Sequence, residues 1–371
     1  MPSERRVVAV TGAAGFIGRN LVVRLEELGH DVRQASRAST AEEIEAALSA
    51  ADAVFHLAGA VRPSDAGDFA RTVAFASVAA GVIAQGGKRP LVVYSSSLRA
   101  SEDTDYGRCK LACEAALLQL GERGLATVAI FRLPNVFGKW ARPNYNSCVA
   151  TFCHNVGRGL PIRIDDPGAP LSLLYVDDLV AQWRALIEAP PAESGYLEAG
   201  SVHDTTVGEM AATLSAFADG RRAGQVGNVG SGLERALYAT FVAALPSEAF
   251  SYPLVAHSDP RGSFAEVLKT RDGGQVSVLT AEPGAVRGGH YHHSKVEKFL
   301  VVHGQARFRF RHILSGETYE LTTSAETPVV VETIPGWTHD ITNVGSEVMV
   351  SLLWASEVFD RSRPDTVLMP V

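Results

Sequence analysis

Eight residues near the start of the chain, Thr11-Gly12-Ala13-Ala14-Gly15-Phe16-Ile17-Gly18, limit its fold more than any other stretch. They follow a short apolar run at 6–10 and open residues 17–28, where apolar residues recur at helical spacing. Glycines here serve a tight turn, close approach of a pyrophosphate to backbone N–H groups, and packing of helix against sheet. A strand–turn–helix of this kind reads as a dinucleotide site, with Gly12, Gly15, Phe16, Ile17 and Gly18 around the phosphates. The alternation continues. Residues 32–36, 53–57, 91–94 and 127–132 read as strands, and 106–120 as a helix. This predicts a Rossmann-type α/β domain, a doubly wound parallel sheet with helices on both faces.

After about residue 244 the character changes. Residues 245–253, LPSEAFSYP, contain two prolines and no periodicity, and read as a linker. Beyond them come short β-rich runs at 275–279, 298–302, 306–310, 328–332 and 348–354, most of them separated by turn-forming residues. This predicts an all-β barrel or jelly roll. At 371 residues the chain is too long for one ordinary core, so two domains are expected, 1–244 and 253–371.

Composition excludes several classes of partner. The chain is 46% hydrophobic and 20% charged, with a net charge of −7 and no basic stripe, so no nucleic acid is expected. No stretch reaches membrane-spanning length, and the first apolar run breaks into glycines sooner than a signal peptide would. Cys109, Cys113, Cys148 and Cys153 form no C-x-x-C pair, which fits buried thiols in a reducing cytoplasm.

The second strand ends in Gln34, Ala35, Ser36 and Arg37. An acid there would bind a ribose 2′-hydroxyl; Arg37, helped by Ser36, suits a 2′-phosphate instead. NADPH is therefore expected over NADH. Leu57, Ala58 and Gly59, after the third strand, are expected to pass close to the cofactor, with His56 a packed strand residue. Tyr106 and Lys110 form a Y-x-x-x-K pair on one helical face. The lysine can lower the tyrosine pKa and hold the nicotinamide ribose. Tyr106 can give a proton to a carbonyl oxygen as hydride reaches carbon, and Ser97 can hydrogen-bond the same oxygen.

The sharpest pattern is Gly284-x5-His290-x-His292-x4-Glu297-x6-Gly304, joined by Pro335-Gly336-x2-His339-x3-Asn343. His290 and His292, two apart on a strand, share a face. Glu297 and His339 can reach the same point from neighbouring strands. Three imidazoles and a carboxylate suit a divalent metal with an open position. Zinc is expected, with iron, manganese and nickel left open. His293 should face outward, and His303 and His312 are read as non-ligands.

Residues 5–240 resemble the extended short-chain dehydrogenase/reductase family. The histidine pattern resembles the two cupin motifs, with Pro-Gly where Pro-x-Gly is usual. The whole resembles the CapF-type capsular polysaccharide assembling proteins, through SSSLRA, YGRCK, RLPNVFGKWARPNYNS, ATFCHN, DPRGSFAEVLK, GGHYHHSKVEKFLVVHG and IPGWTHDITN. The resemblance implies a cupin that epimerises C3 of a UDP-4-keto-6-deoxy-N-acetylhexosamine. It also implies a reductase that reduces the C4 ketone with NADPH, on the route to UDP-N-acetyl-L-fucosamine. It further implies that residues 132–147 begin the UDP-sugar site, with Asn135, Arg142 and Asn144 as candidates for holding the sugar and diphosphate. Cupin barrels commonly pair, so a homodimer is expected.

Three departures stand out. Ser97 and Tyr106 are only nine residues apart. Leu98-Arg99 stand where dehydratases of the family carry an Asp-Glu pair, which points to ketone reduction rather than loss of water. Val61 and Thr72 replace asparagines expected in relatives. For the epimerisation, Lys295, His293 and Tyr291 are candidate bases and none is singled out. Two alternatives remain at this stage: a barrel that only binds metal and dimerises the chain, and a non-catalytic sugar-binding protein.

Overall fold

The first strand, β1 (Val7–Thr11), belongs to a parallel sheet with β2 (Asp31–Ala35), β3 (Ala53–His56), β4 (Leu91–Ser97) and β5 (Thr127–Leu133). Together with the short strand Gly195–Tyr196 the order is β2-β1-β3-β4-β5 and then that strand, every pairing parallel. The computed structural model describes residues 4–36, 38–253, 256–259, 262–265, 268–270, 274–357 and 362–371. The chain divides into two units, Met1–Ser147 with Leu171–Asp204, and Cys148–Pro170 with Thr205–Val371.

In the first unit the strand period of two sorts side chains into two cores. Ala9, Val54, Val92, Tyr94, Val128 and Ile130 meet residues of α2 (Ala41–Leu48), α3 (Asp68–Gln85) and α4 (Asp105–Glu122) on one face. Val8, Val10, Phe55, Val93, Ala129 and Phe131 meet α1 (Phe16–Glu27) and the helix Val176–Glu188 on the other. The continuous apolar runs of the sequence are thus strands buried on both faces. The strand order reverses between β1 and β3, so the loops leaving their carboxyl ends diverge and open a crevice there.

Among the described residues the second unit holds the α-helices Cys148–Val156, Val207–Ala223 and Gly232–Ala243, and two five-stranded antiparallel sheets. One runs Ser251–Pro253, Val329–Glu332, Glu297–His303, Met349–Ala355, Gln275–Ala281. The other runs Thr318–Ser324, Gln305–His312, Trp337–Asn343, Val286–Tyr291, Val367–Leu368.

One sequence expectation needs correction. Residues 245–253 are not a free linker: Ser251–Pro253 is an edge strand paired with Val329–Glu332, and Phe250 is fully buried. Its ring lies 5.8, 5.7 and 5.0 Å from those of Phe310, Tyr319 and Trp337. Only a short 3-10 turn, Ser247–Ala249, forms after Pro246, and a single aromatic anchor has no periodicity for a sequence reading to detect.

Candidate active site and metal centre

The glycine turn after β1 is held by close approach. Gly12 has φ of +70°, and a Cβ there would lie 2.7 Å from the Ala58 nitrogen. A Cβ on Gly18 would sit 2.8 Å from Ala13 Cα. Gly15 caps α1 without a side-chain hydrogen bond, and no acid lies in the first turn, as an anion site at a helix start requires. Phe16 and Ile17 pack against the core beneath. Thr11 ties this turn to the β3 turn. Its hydroxyl oxygen accepts from the N–H groups of Leu57 at 3.2 Å and Ala58 at 3.3 Å, and lies 3.0 Å from His56 Nδ1. Burial, and then the charge of Lys110, push His56 down to about 3, so it is a neutral packed strand residue.

Ser97 is the last residue of β4, and Tyr106 and Lys110 lie in the first turns of α4. Their nine-residue separation is spanned by a 3-10 turn, Leu98–Ser101, and a Thr104 cap that accepts from Gly107 N at 3.0 Å. Burial raises the Tyr106 pKa, opposed by its hydrogen bond with Ser97 and by the charge of Arg99. The phenol therefore stays protonated, the form a proton donor needs. Lys110 is buried, and its ammonium donates to the Ser95 carbonyl at 2.8 Å. It lies 5.9 Å from the Tyr106 ring centre, and a Cβ on Gly59 would be 3.5 Å from it. Gly59 thus brings the β3 turn to the lysine, joining the glycine turn to the Ser97–Tyr106 pair.

Beneath these three sits a network that sequence reasoning missed. Glu114, on α4, accepts from Arg132 at 3.0 and 2.7 Å, from Tyr196 at 2.9 Å and from the buried Ser96 hydroxyl. It joins α4 to β4, β5 and the outermost strand. Burial works to raise its pKa, but these donors outweigh it and hold the carboxyl below the usual carboxylate range.

Arg37 lies outside the described residues. Ser36 is exposed; its hydroxyl accepts from Ala38 N at 3.1 Å, and its own N–H donates to Ser39 Oγ at 3.1 Å. Asn135, Arg142 and Asn144 are exposed. The Arg142 guanidinium lies 5.2 Å from the Tyr145 ring centre, and Arg62, absent from the sequence reading, lies 5.6 Å from the same ring.

In the second unit His290, His292, Glu297 and His339 each offer a donor atom, all within 4.8 Å of one another. His292 Nε2 is 3.2 Å, and His339 Nε2 3.6 Å, from Glu297 Oε2. Burial, then His339 and His292, push His290 down to about 4. Burial also lowers His339. It acts to raise Glu297, but His292 and His339 hold that carboxyl well below its ordinary value. Among the described residues, neither nitrogen of the buried His339 finds a hydrogen-bond partner. Tetrahedral donors about 2.0–2.2 Å from a zinc ion stand roughly 3.4 Å apart. The donor set and its spacing therefore fit a divalent cation.

Two corrections belong here. His292 is not on the strand with His290: that strand ends at Tyr291, after a register shift between Gly288 and His290. His292 reaches the site from the following turn. His293 is buried, not outward, with its ring 5.4 Å from that of Tyr291. Lys295 Nζ lies 3.9 Å from Glu297 Oε1 and donates to Thr366 Oγ1 at 3.0 Å. His303 and His312 are outside the cluster. All four cysteines are free thiols. Among the described residues no helix is long and apolar enough to cross a membrane.

Residues 8–196 match the model of the NAD dependent epimerase/dehydratase family, and 257–367 that of the polysaccharide biosynthesis C-terminal domain. A UDP-2-acetamido-2,6-beta-L-arabino-hexul-4-ose reductase of Pseudomonas aeruginosa is 48% identical over 97% of each chain. The crystal structure of the capsular polysaccharide assembling protein CapF from Staphylococcus aureus is similar with a TM-score of 0.65 and 39% identity, covering 98% of this chain and 99% of that one. The UDP-glucose 4-epimerase of Thermotoga maritima, at 22% identity and a TM-score of 0.51, covers 57% of this chain and 82% of its own, and shares the fold alone. The chain belongs to the NAD dependent epimerase/dehydratase family and, within it, to the CapF-type capsular polysaccharide assembling proteins.

Proposed function

We propose that the protein is an NADPH-dependent reductase of a UDP-4-keto-6-deoxy-N-acetylhexosamine that also epimerises C3 of the same sugar. The observation that carries this reading is the placement of Tyr106 beside Ser97, with Lys110 5.9 Å from its ring centre, at the carboxyl edge of a parallel sheet beside a glycine turn. The nicotinamide, when bound, supplies the hydride. Tyr106 gives its proton to the C4 carbonyl oxygen, Ser97 holds that oxygen, and Lys110 holds the nicotinamide ribose. Gly12, Gly15 and Gly18 admit the pyrophosphate, and Ser36 and Arg37 take the 2′-phosphate. Asn135, Arg142 and Asn144 hold the UDP-sugar. The name of the Pseudomonas relative, a 4-ulose reductase acting on a UDP-acetamido sugar, supports this substrate class.

Residues 1–244 form the reductase in this reading, and 253–371 a cupin that epimerises C3. His290, His292, Glu297 and His339 hold a divalent metal, zinc by preference. A bound metal would supply Lewis-acid polarisation of the ketone next to C3. The chain works as a cytoplasmic homodimer, and the reaction lies on the route to UDP-N-acetyl-L-fucosamine.

The test is the product NMR of the 4-keto sugar incubated in D2O with and without NADPH. Deuterium is expected at C3 without NADPH, and a reduced C4 with it. Tyr106→Phe should lose reduction by about 10²–10⁴-fold while keeping exchange; His290→Ala should lose exchange and still bind cofactor. Reduction surviving in Tyr106→Phe refutes the assigned acid. Absence of deuterium at C3 leaves a barrel that binds metal without epimerising.

A further inference from the structure

The turn between His292 and Glu297 carries a candidate ligand at each end, and three of its backbone N–H groups point to a single acceptor group. That acceptor is the carboxylate of Asp365, from the C-terminal segment. One oxygen accepts from His293 N at 2.8 Å. The other accepts from Ser294 N at 2.7 Å, Lys295 N at 2.7 Å and Ser294 Oγ at 3.0 Å. Three successive backbone donors on one carboxylate fix a turn that a loop of this sequence would otherwise leave to water. The backbone carbonyl of the same residue takes the Nδ1 hydrogen of His292. That hydrogen bond selects the tautomer and leaves Nε2 facing Glu297 Oε2, 3.2 Å away. The tail then runs on beside the ligand strand: Leu368 pairs with His290, and Met369 N donates to Gly289 O at 2.9 Å.

We propose that Asp365 is a positioning residue of the metal centre, its carboxylate fixing the turn that presents His292 and Glu297 and its carbonyl orienting the His292 ring. The inference rests on the metal-centre reading above. Through Asp365, the C-terminal tail becomes part of the site.

The experiment uses the full chain, stripped of metal with a chelator and titrated with Zn²⁺ and, for its visible d–d bands, with Co²⁺. Asp365→Ala is expected to weaken metal binding by about 10–100-fold and to shift the Co²⁺ bands, with the metal-free circular dichroism spectrum unchanged. Asp365→Asn keeps one acceptor oxygen and should fall between. If Asp365→Ala loses the metal-free spectrum, Asp365→Asn decides on the same two readings. Affinity and bands equal to those of the unmodified chain would overturn the proposal. Failure of the unmodified chain to bind either metal would overturn the metal-centre reading itself, and this inference with it.

Discussion

Glu114 offers the most quantitative test of how the first unit holds its candidate reactive residues. The carboxylate is 2% exposed and accepts four hydrogen bonds, so Glu114→Ala removes one side of every link in the network. The buried Ser96 hydroxyl is left without its acceptor, at a cost of about 1–3 kcal/mol. Breaking a fully buried ion pair costs about 3–5 kcal/mol. Arg132 is 33% exposed, so water recovers part of its solvation and the lower end applies. With the Ser96 cost added, the expected loss is about 4–6 kcal/mol, or roughly 8–24 °C in the unfolding midpoint of a unit this size. Activity should fall too, because the network ties α4, which carries Tyr106 and Lys110, to β4, which ends on Ser97. Thermal and urea unfolding followed by circular dichroism, with kcat/KM for NADPH oxidation, measure both. A midpoint within about 2 °C of the parent would refute the reasoning, since it would mean the four contacts contribute nothing net.

Three further outcomes are expected. Glu114 has a folded-state pKa below its unfolded one, so its contribution is fully present above the unfolded value and is lost as pH falls through the folded value; Glu114→Gln should flatten the acid limb of a stability–pH curve, and an unchanged limb would assign it elsewhere. Gly12→Ala forces a side chain onto φ of +70° and onto the Ala58 nitrogen, so nicotinamide binding, read by NADPH fluorescence, should weaken at least about tenfold. Thr11→Val removes the hydroxyl shared by His56, Leu57 and Ala58 and should cost about 1–3 kcal/mol in denaturant titration; a neutral result would show that the two turns need no such tie.

The geometry of the glycine turn was legible because its physics is local. A chain that must bend sharply, pass within contact of Ala58 and start a helix can do so only with glycine at Gly12 and Gly18, and that requirement is written in consecutive residues. The paired Tyr106 and Lys110 follow from one helical turn. The four residues of the candidate metal cluster were singled out by residue type, although the strand spacing assumed for His292 does not hold. Glu114 and Asp365 were not legible for the opposite reason. Each acts on partners far away in sequence: Arg132 is 18 residues from Glu114, and His293 is 72 from Asp365. A lone acid on a helix, or in a tail, reads as a solvated surface group until the fold closes around it.

Sequence by itself determined the class of each half of the chain, the parallel sheet, the antiparallel sheets and the residue types that could carry chemistry. Periodicity and glycine placement are properties of neighbours along the chain. Tertiary structure decided that Phe250 anchors what reads as a linker, that His293 turns inward, and that His292 comes from a turn rather than a strand. It also decided that Gly59 meets Lys110 and that an aspartate near the C-terminus holds the turn between two candidate metal ligands. Those outcomes depend on which distant surfaces are brought together when apolar area leaves water and every buried donor finds an acceptor.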